Sequence, residues 1–279
     1  MSRSPRQSAR QVDGQVVVIT GAARGIGAEL ARVLTARGAR CALLGLEPGE
    51  LAAVSATLPG SRAYEVDVTD ADALRAVAAR VLADFGRVDA LVANAGIGDG
   101  GPLLLSDPTA YDRIIEVNLL GSVRTVRAFL PAVVASRGYV LQVASVAAIV
   151  PAPMMSAYCA SKSGVEAFAH ALRGEVRHHG VDVGVAYLTW TDTDMVRAVD
   201  RTPGLGELRA ELPWVLGRTY PLGPAVVRLA DGLAGRKAHV YGQGWVRAVQ
   251  LVRSVLPALT PLAARRMPDV EARVLAAHR

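Results

Sequence analysis

The sequence predicts an α/β protein: a doubly wound parallel sheet of seven strands in a single domain with a C-terminal helical extension. Three observations carry that expectation. Short apolar runs alternate with longer stretches of helical periodicity, as in repeated β-α units. The first run, VVVI from Val16, leads into TGAARGIG and then AELARVLTAR, which is the order strand, glycine loop, helix. The chain has 279 residues, 51% of them hydrophobic, enough for one large core.

Taken in order, the strands are expected at Val16 to Thr20, Arg40 to Leu44, Arg62 to Val66, Ala90 to Ala93, Tyr139 to Val143, Asp182 to Leu188 and, on the weakest pattern, Ala238 to Tyr241. Between them, Ile26, Leu30 and Val33 share one helical face, as do Val165, Ala169, Leu172 and Val176, so the crossovers are amphipathic helices covering the sheet. Residues 1–13 read as a polar, basic, disordered tail and 14–243 as the catalytic domain. Within it, about 195–220, with TPGLGEL and ELPW, reads as a mobile cap.

The net charge is +6, and its placement matters more than its size. From Arg236 onward eight Lys or Arg oppose Asp269 and Glu271, and the tail adds Arg3, Arg6 and Arg10 against Asp13, leaving the body slightly acidic. No basic strip interleaved with aromatics suits base stacking, so nucleic acid is not an expected partner. The two cysteines, Cys41 and Cys159, form neither a disulfide framework nor a metal-ligand spacing, which fits a reducing cytoplasm and no metal. The N-terminus has no apolar signal segment, and no uncharged apolar run approaches about 18 residues. A soluble or peripheral protein is expected.

Within TGAARGIG, Gly21 permits a tight turn, Gly25 admits a pyrophosphate against the backbone and Gly27 lets the helix pack closely on the strand, while the helix start presents unpaired N–H groups. This predicts a dinucleotide site. Further on, Tyr158 and Lys162 are four residues apart and share a helical face. A lysine ammonium beside a phenol would lower its pKa from about 10 toward a useful range, and Ser145 would hold a substrate oxygen.

TGAARGIG, Asn94-Ala95-Gly96, Asn118, Ser145 and Tyr158-x-x-x-Lys162 together resemble the classical short-chain dehydrogenase/reductase family, over about residues 14 to 195. The resemblance implies a Rossmann fold and hydride transfer between a nicotinamide and a carbonyl carbon. It also implies Tyr158 as general acid and base, Lys162 on the nicotinamide ribose, Ser145 orienting the oxygen and Asn118 supporting a relay water. Cofactor contacts would come from Thr20, Gly21, Arg24, Gly25, Ile26, Gly27, Gly45, Asp67, Val68, Asn94, Ala95, Gly96, Tyr158, Lys162 and Thr193.

Gly45 stands where an acidic residue would select NAD(H) by bonding the ribose. With Arg24 in the loop as a phosphate donor, this favours NADP(H), with NAD(H) as the alternative if Glu47 bends back to the ribose. Thr189-Trp190 replaces the family's Pro-Gly, while Thr193 matches its carboxamide threonine. Trp190 would either stack near the nicotinamide and narrow the entrance, or pack beneath the cap.

Met154, Met155, Trp190 and Trp214 suggest a pocket for a bulky lipophilic ketone or secondary alcohol. Residues 244–279 form a basic amphipathic extension in which Arg247, Gln250 and Ser254 make one polar strip with Arg253 beside it. It would dock on its own domain, or lie on a partner subunit or an anionic membrane surface. The family implies a homo-oligomer, a dimer or tetramer. An isomerase, dehydratase or cyclase on the same fold, or a non-catalytic dinucleotide sensor, are the alternatives.

Overall fold

A computed structural model describes residues 12–202, 204–212 and 214–277. Residues 1–11, most of the expected tail, lie outside the described residues. The seven strands are β1 (Val16–Thr20), β2 (Arg40–Gly45), β3 (Arg62–Glu65), β4 (Ala90–Ala93), β5 (Tyr139–Ser145), β6 (Asp182–Leu188) and β7 (His239–Tyr241). They form one parallel sheet in the order β3-β2-β1-β4-β5-β6-β7.

Strand alternation builds two cores from one sheet. Val16 and Val18 of β1 face a layer made by α3 (Ala71–Phe85), α5 (Gly121–Ala135) and α6 (Ser156–Val176). Val17 and Ile19 face the opposite layer, from α1 (Gly25–Ala36), α2 (Pro48–Ala56) and α10 (Leu222–Ala234). Local signals set the helix ends. Asp70 accepts from the backbone N–H of Asp72 and Ala73, both at 2.9 Å, to start α3, satisfying two orphan donors. Gly86, at φ 78°, ends it in the left-handed conformation.

Between β4 and β5, α4 (Pro108–Ile115) runs through a π turn at Glu116–Leu120 into α5. The continuous helix Pro108–Ala135 is long and apolar enough by composition to cross a membrane, but half of its most apolar window is buried within the protein, as expected of a core crossover. After β6, the cap is made of α7 (Asp194–Val199), α8 (Leu205–Ala210) and α9 (Trp214–Gly217). It is organised around Arg209, 6% exposed, which bonds Asp200, the Gly217 carbonyl and Thr219 and lies 4.5 Å over the Trp190 ring. The extension folds as α11 (Val246–Leu251), a 3-10 stretch over Leu256–Arg266 and α12 (Met267–Ala277).

The expected polar strip of the extension is inverted in part. Trp245, Val249 and Leu256 pack against the α6 side of the core. Gln250 and Arg253 turn inward with them to Glu166 of α6, Arg253 making two bonds of 2.8 and 2.9 Å. Leu251, Val252 and Val255 are left exposed, as are Arg247 and Ser254 of the strip. A carboxylate 3% exposed needs a cation and donors. That requirement, not the apolar majority of the segment, sets how it docks.

Candidate active site

The site lies along the C-terminal edge of the strands, where open α/β sheets bind ligands. Thr20, the last residue of β1, uses its hydroxyl to accept from the N–H groups of Asn94 and Ala95, each at 3.0 Å. Asn94 returns its amide to the Thr20 and Gly21 carbonyls at 2.9 and 3.2 Å. These bonds fix the β4 loop, including Gly96, beside the glycine loop. Gly21 has φ 63°, and a Cβ there would meet Ala95 Cα at 2.9 Å. At Gly27 an added Cβ would fall 2.2 Å from the Gly21 carbonyl oxygen. Only glycine gives this approach of loop, helix and β4.

The cleft so formed has a volume of about 260 Å³. Of the fifteen expected cofactor positions, Gly21, Arg24, Gly25, Ile26, Gly45, Asp67, Val68, Asn94, Ala95, Gly96, Tyr158, Lys162 and Thr193 line it, as does Ser145. Thr20 and Gly27 stand behind its wall as supports. Two features fit a dinucleotide: the glycine cradle at the start of a 12-residue helix, and the Thr189 hydroxyl, a buried oxygen of a residue in the cleft wall without a hydrogen-bond partner among the described residues. Thr193 instead caps α7 through the Val196 N–H at 3.4 Å. Arg24 is paired with Glu47 at 2.7 Å. Asp67 takes the Thr69 N–H and hydroxyl, both at 2.8 Å, and Arg113 at 2.9 Å. Burial raises the Asp67 carboxyl, but these bonds outweigh it and hold the group below its usual range.

Ser145 ends β5, with its Oγ accepting the Ala147 N–H at 3.2 Å. Tyr158 and Lys162 project from the first turns of α6 into the same cleft. Burial pushes the Tyr158 phenol up to about 12, with its Ser145 hydrogen bond pulling the other way. Burial also pushes Lys162 down to about 8. The Lys162 ammonium donates to the Val143 carbonyl at 3.0 Å and sits 5.7 Å from the Tyr158 ring centre. The expected lowering of the tyrosine by the lysine is therefore corrected: burial dominates, and the two groups are displaced toward the same neutral forms.

Asn118 lies in the π turn, 1% exposed. Its oxygen accepts the Ile97 N–H at 2.8 Å, and its amide donates to the Ile97 carbonyl and Ser161 hydroxyl at 2.9 and 3.1 Å. Both amide protons are thereby committed to the β4 loop and α6. The side chain retains one oxygen lone pair for any relay water.

The four expected pocket residues separate. Met154 and Met155 are buried in an apolar cluster with Cys159, Val199 and Leu205, and Trp190 packs against its edge. Trp190 lies beneath Arg209 and does not line the cleft; it packs within the cap. Trp214 is corrected outright: it is 72% exposed with the Arg218 guanidinium 5.0 Å over its ring. The sequence reading missed Arg113, Val143, Leu188, Thr191 and Asp194 in the cleft wall. Val143 and Leu188 had a usable signal, since both stand near the C-terminal ends of strands.

The family model described as short chain dehydrogenase matches residues 15–204. Bovine dehydrogenase/reductase SDR family member 7B is 39% identical over 185 residues, 62% of this chain and 57% of that protein, so the chain spans little more than half of that relative's length. The 3-oxoacyl-(acyl-carrier-protein) reductase FabG of Escherichia coli is 31% identical over 236 residues, 82% of this chain and 97% of the relative. Among solved structures, a metagenomic short-chain oxidoreductase in complex with NADP is 38% identical with a TM-score of 0.60, covering 63% of this chain and 83% of that one. A Burkholderia phymatum short chain dehydrogenase/reductase in complex with NAD is 25% identical with a TM-score of 0.77, covering 89% and 96%. With the parallel sheet, the glycine cradle and the Ser145, Tyr158 and Lys162 cleft in place, these matches establish that the chain belongs to the short-chain dehydrogenase/reductase family.

Proposed function

We propose that the protein is an NADP(H)-dependent oxidoreductase that interconverts a ketone and a secondary alcohol on a bulky lipophilic substrate, with Tyr158 as the general acid and base. One observation carries the reading: Ser145, Tyr158 and Lys162 converge in the wall of the same cleft that the glycine loop opens. The NADP and NAD complexes of similar structures support a nicotinamide dinucleotide. When bound, that group donates or accepts the hydride.

The protein's own part is proton handling and orientation. Tyr158, pushed up to about 12, is a protonated phenol at neutral pH and holds the proton that carbonyl reduction needs. In the oxidative direction the Tyr158 phenolate is the form that takes the alcohol proton. Ser145 holds the substrate oxygen beside it. Lys162, charged below about 8, stabilises the phenolate left after proton donation and would hold the nicotinamide ribose. Asn118 keeps the β4 loop closed on α6 and offers its remaining lone pair to a relay water.

The test is absorbance at the nicotinamide band with NADPH and then NADH over a panel of hydrophobic ketones, comparing wild type with Tyr158→Phe. Loss of about 100-fold or more in kcat is expected. Unchanged turnover in the mutant would overturn the mechanism. The same reading includes a cytoplasmic homo-oligomer, a dimer or tetramer, checked by light scattering. It also includes contact with an anionic membrane surface through Leu251, Val252 and Val255, exposed on the extension beside Arg247. Vesicle flotation of wild type against Leu251→Asp/Val255→Asp checks that contact, and equal recovery of both proteins away from the lipid sinks it.

A further inference from the structure

Helix α12 begins more than a hundred residues after Tyr158, yet belongs to the same apolar cluster. Val270 and Val274, each 7% exposed, are buried with Met154, Met155, Cys159, Val199 and Leu205, and Tyr158 packs against that cluster. The contact with the cap is close: a Cβ on Gly204 would lie 2.8 Å from a Val270 methyl and 3.4 Å from the Met154 terminal methyl. Arg273 pairs with Glu207 at 3.9 Å and Arg266 with Glu211 at 3.5 Å, tying the segment to α8 and the residue after it.

Val274 also lines a second cavity, of about 290 Å³, with Gly100, Leu105, Ile114 and Met154 among its other walls. Ser156 and Ala157 in its wall immediately precede Tyr158 of the catalytic cleft, and one bridge joins two of its own walls. The Gly101 N–H donates to the Met154 carbonyl at 2.8 Å, and Met154 is held at φ 66°, a conformation a bulky side chain adopts only when its surroundings impose it. The loop before this bridge reaches Tyr158 itself, since a Cβ on Gly98 would lie 3.7 Å from the Tyr158 ring. A cavity at the lower end of the range of about 300–1,000 Å³ for ligand pockets suits one arm of a substrate rather than the whole.

We propose that α12 is the lid of the substrate site. Val274, packed in one cluster with Val270 and Met154, closes the cavity that receives the apolar arm of the substrate and so sets the arm length accepted. This rests on the carbonyl and alcohol reading of the Tyr158 cleft. A lid residue changes which substrates bind, whereas a residue that only stabilises the fold lowers every rate alike.

The experiment uses methyl ketones from butanone to dodecan-2-one. For wild type, Val274→Ala, Val274→Phe and Val270→Ala, kcat/KM is measured with the preferred cofactor, and calorimetric Kd values are measured on the same proteins without cofactor. Val274→Ala is expected to move the optimum toward longer chains and Val274→Phe toward shorter ones, while Val270→Ala, outside the cavity wall, is expected to leave the optimum in place. Each methylene gained or lost should count about fourfold, with the change falling on KM. Superimposable chain-length profiles in all four proteins, or a uniform loss at every length, overturn the proposal. If wild type turns over no ketone, the functional reading fails and calorimetry still decides the lid: shifted Kd profiles support it, and identical profiles or no binding overturn it.

Discussion

Arg24 and Glu47 form an ion pair 2.7 Å long, and both line the dinucleotide cleft. Arg24 is the residue expected to take a 2′-phosphate, and that phosphate would have to draw it from Glu47. Glu47→Gln should therefore tighten NADPH relative to NADH by about tenfold, and Arg24→Ala should shift the ratio about tenfold the other way, each amounting to one charge-assisted bond of about 1.5 kcal/mol. Fluorescence titration of both cofactors on the three proteins measures the ratio, and a ratio indifferent to both changes would remove Arg24 from cofactor selection.

Lys162 should make stability rise with pH over a defined window. Its folded pKa is lowered by burial to about 8 from an ordinary value of 10.5. Between those values the unfolded chain binds more protons, so unfolding becomes harder as pH increases. The gain is about 2–3 kcal/mol at roughly 1.4 kcal/mol per pH unit. Tyr158 and Cys41, both pushed up by burial, act oppositely above their unfolded values near 10 and 9. The quantity to read is therefore the difference between wild type and Lys162→Met in denaturant midpoints from pH 7.5 to 10. That difference should shrink as pH rises.

Thr189→Val should act with opposite signs on the protein and on its ligand. The Thr189 hydroxyl is buried without a partner among the described residues, a situation that costs about 1–3 kcal/mol. Removing it should raise the melting temperature of the cofactor-free protein while weakening dinucleotide binding several-fold. Calorimetric Kd and thermal scans on the same samples provide both readouts. A variant that loses stability and keeps affinity would contradict the assignment of Thr189 to the cofactor wall.

Arg253→Ala should destabilise the protein by about 2–3 kcal/mol, below the 3–5 of a fully buried pair because Arg253 is 41% exposed. Burial raises the Glu166 carboxyl, but Arg253, the Tyr187 hydroxyl at 2.6 Å and Gln250 hold it below its usual range. A lowered carboxyl contributes stability above its unfolded value near 4.5, and loses it as pH falls through the folded value. Denaturation at pH 7 and pH 4 should show the Arg253→Ala deficit shrinking in acid, and Glu166→Gln/Arg253→Met should recover much of it.

Much of the sheet was legible because each strand announces itself locally. β1, β4 and β6 begin and end where the apolar runs do, while β2 and β5 run one and two residues further, through Gly45 and Ala144-Ser145. Those small residues carry no alternation to read. The glycine loop and the Tyr158 to Lys162 spacing were also legible, being short-range patterns with a chemical reason. Three features were not. Arg209 looks like a surface cation in sequence, yet its bonds to Asp200, Gly217 and Thr219 make it the centre of the cap. Trp214 looks like a pocket aromatic, yet it is largely exposed beneath Arg218. The partner of Glu166 stands 87 residues away, beyond any local pattern, so docking of the extension on its own domain could be expected but not the contact that makes it.

Tyr158, Lys162 and Glu166 follow one another at four-residue intervals on α6, and the last of them is paired with Arg253 of the extension. The helix that presents the reactive phenol is thus tied to the extension two turns further on, and the cost of losing that guanidinium falls on the same helix.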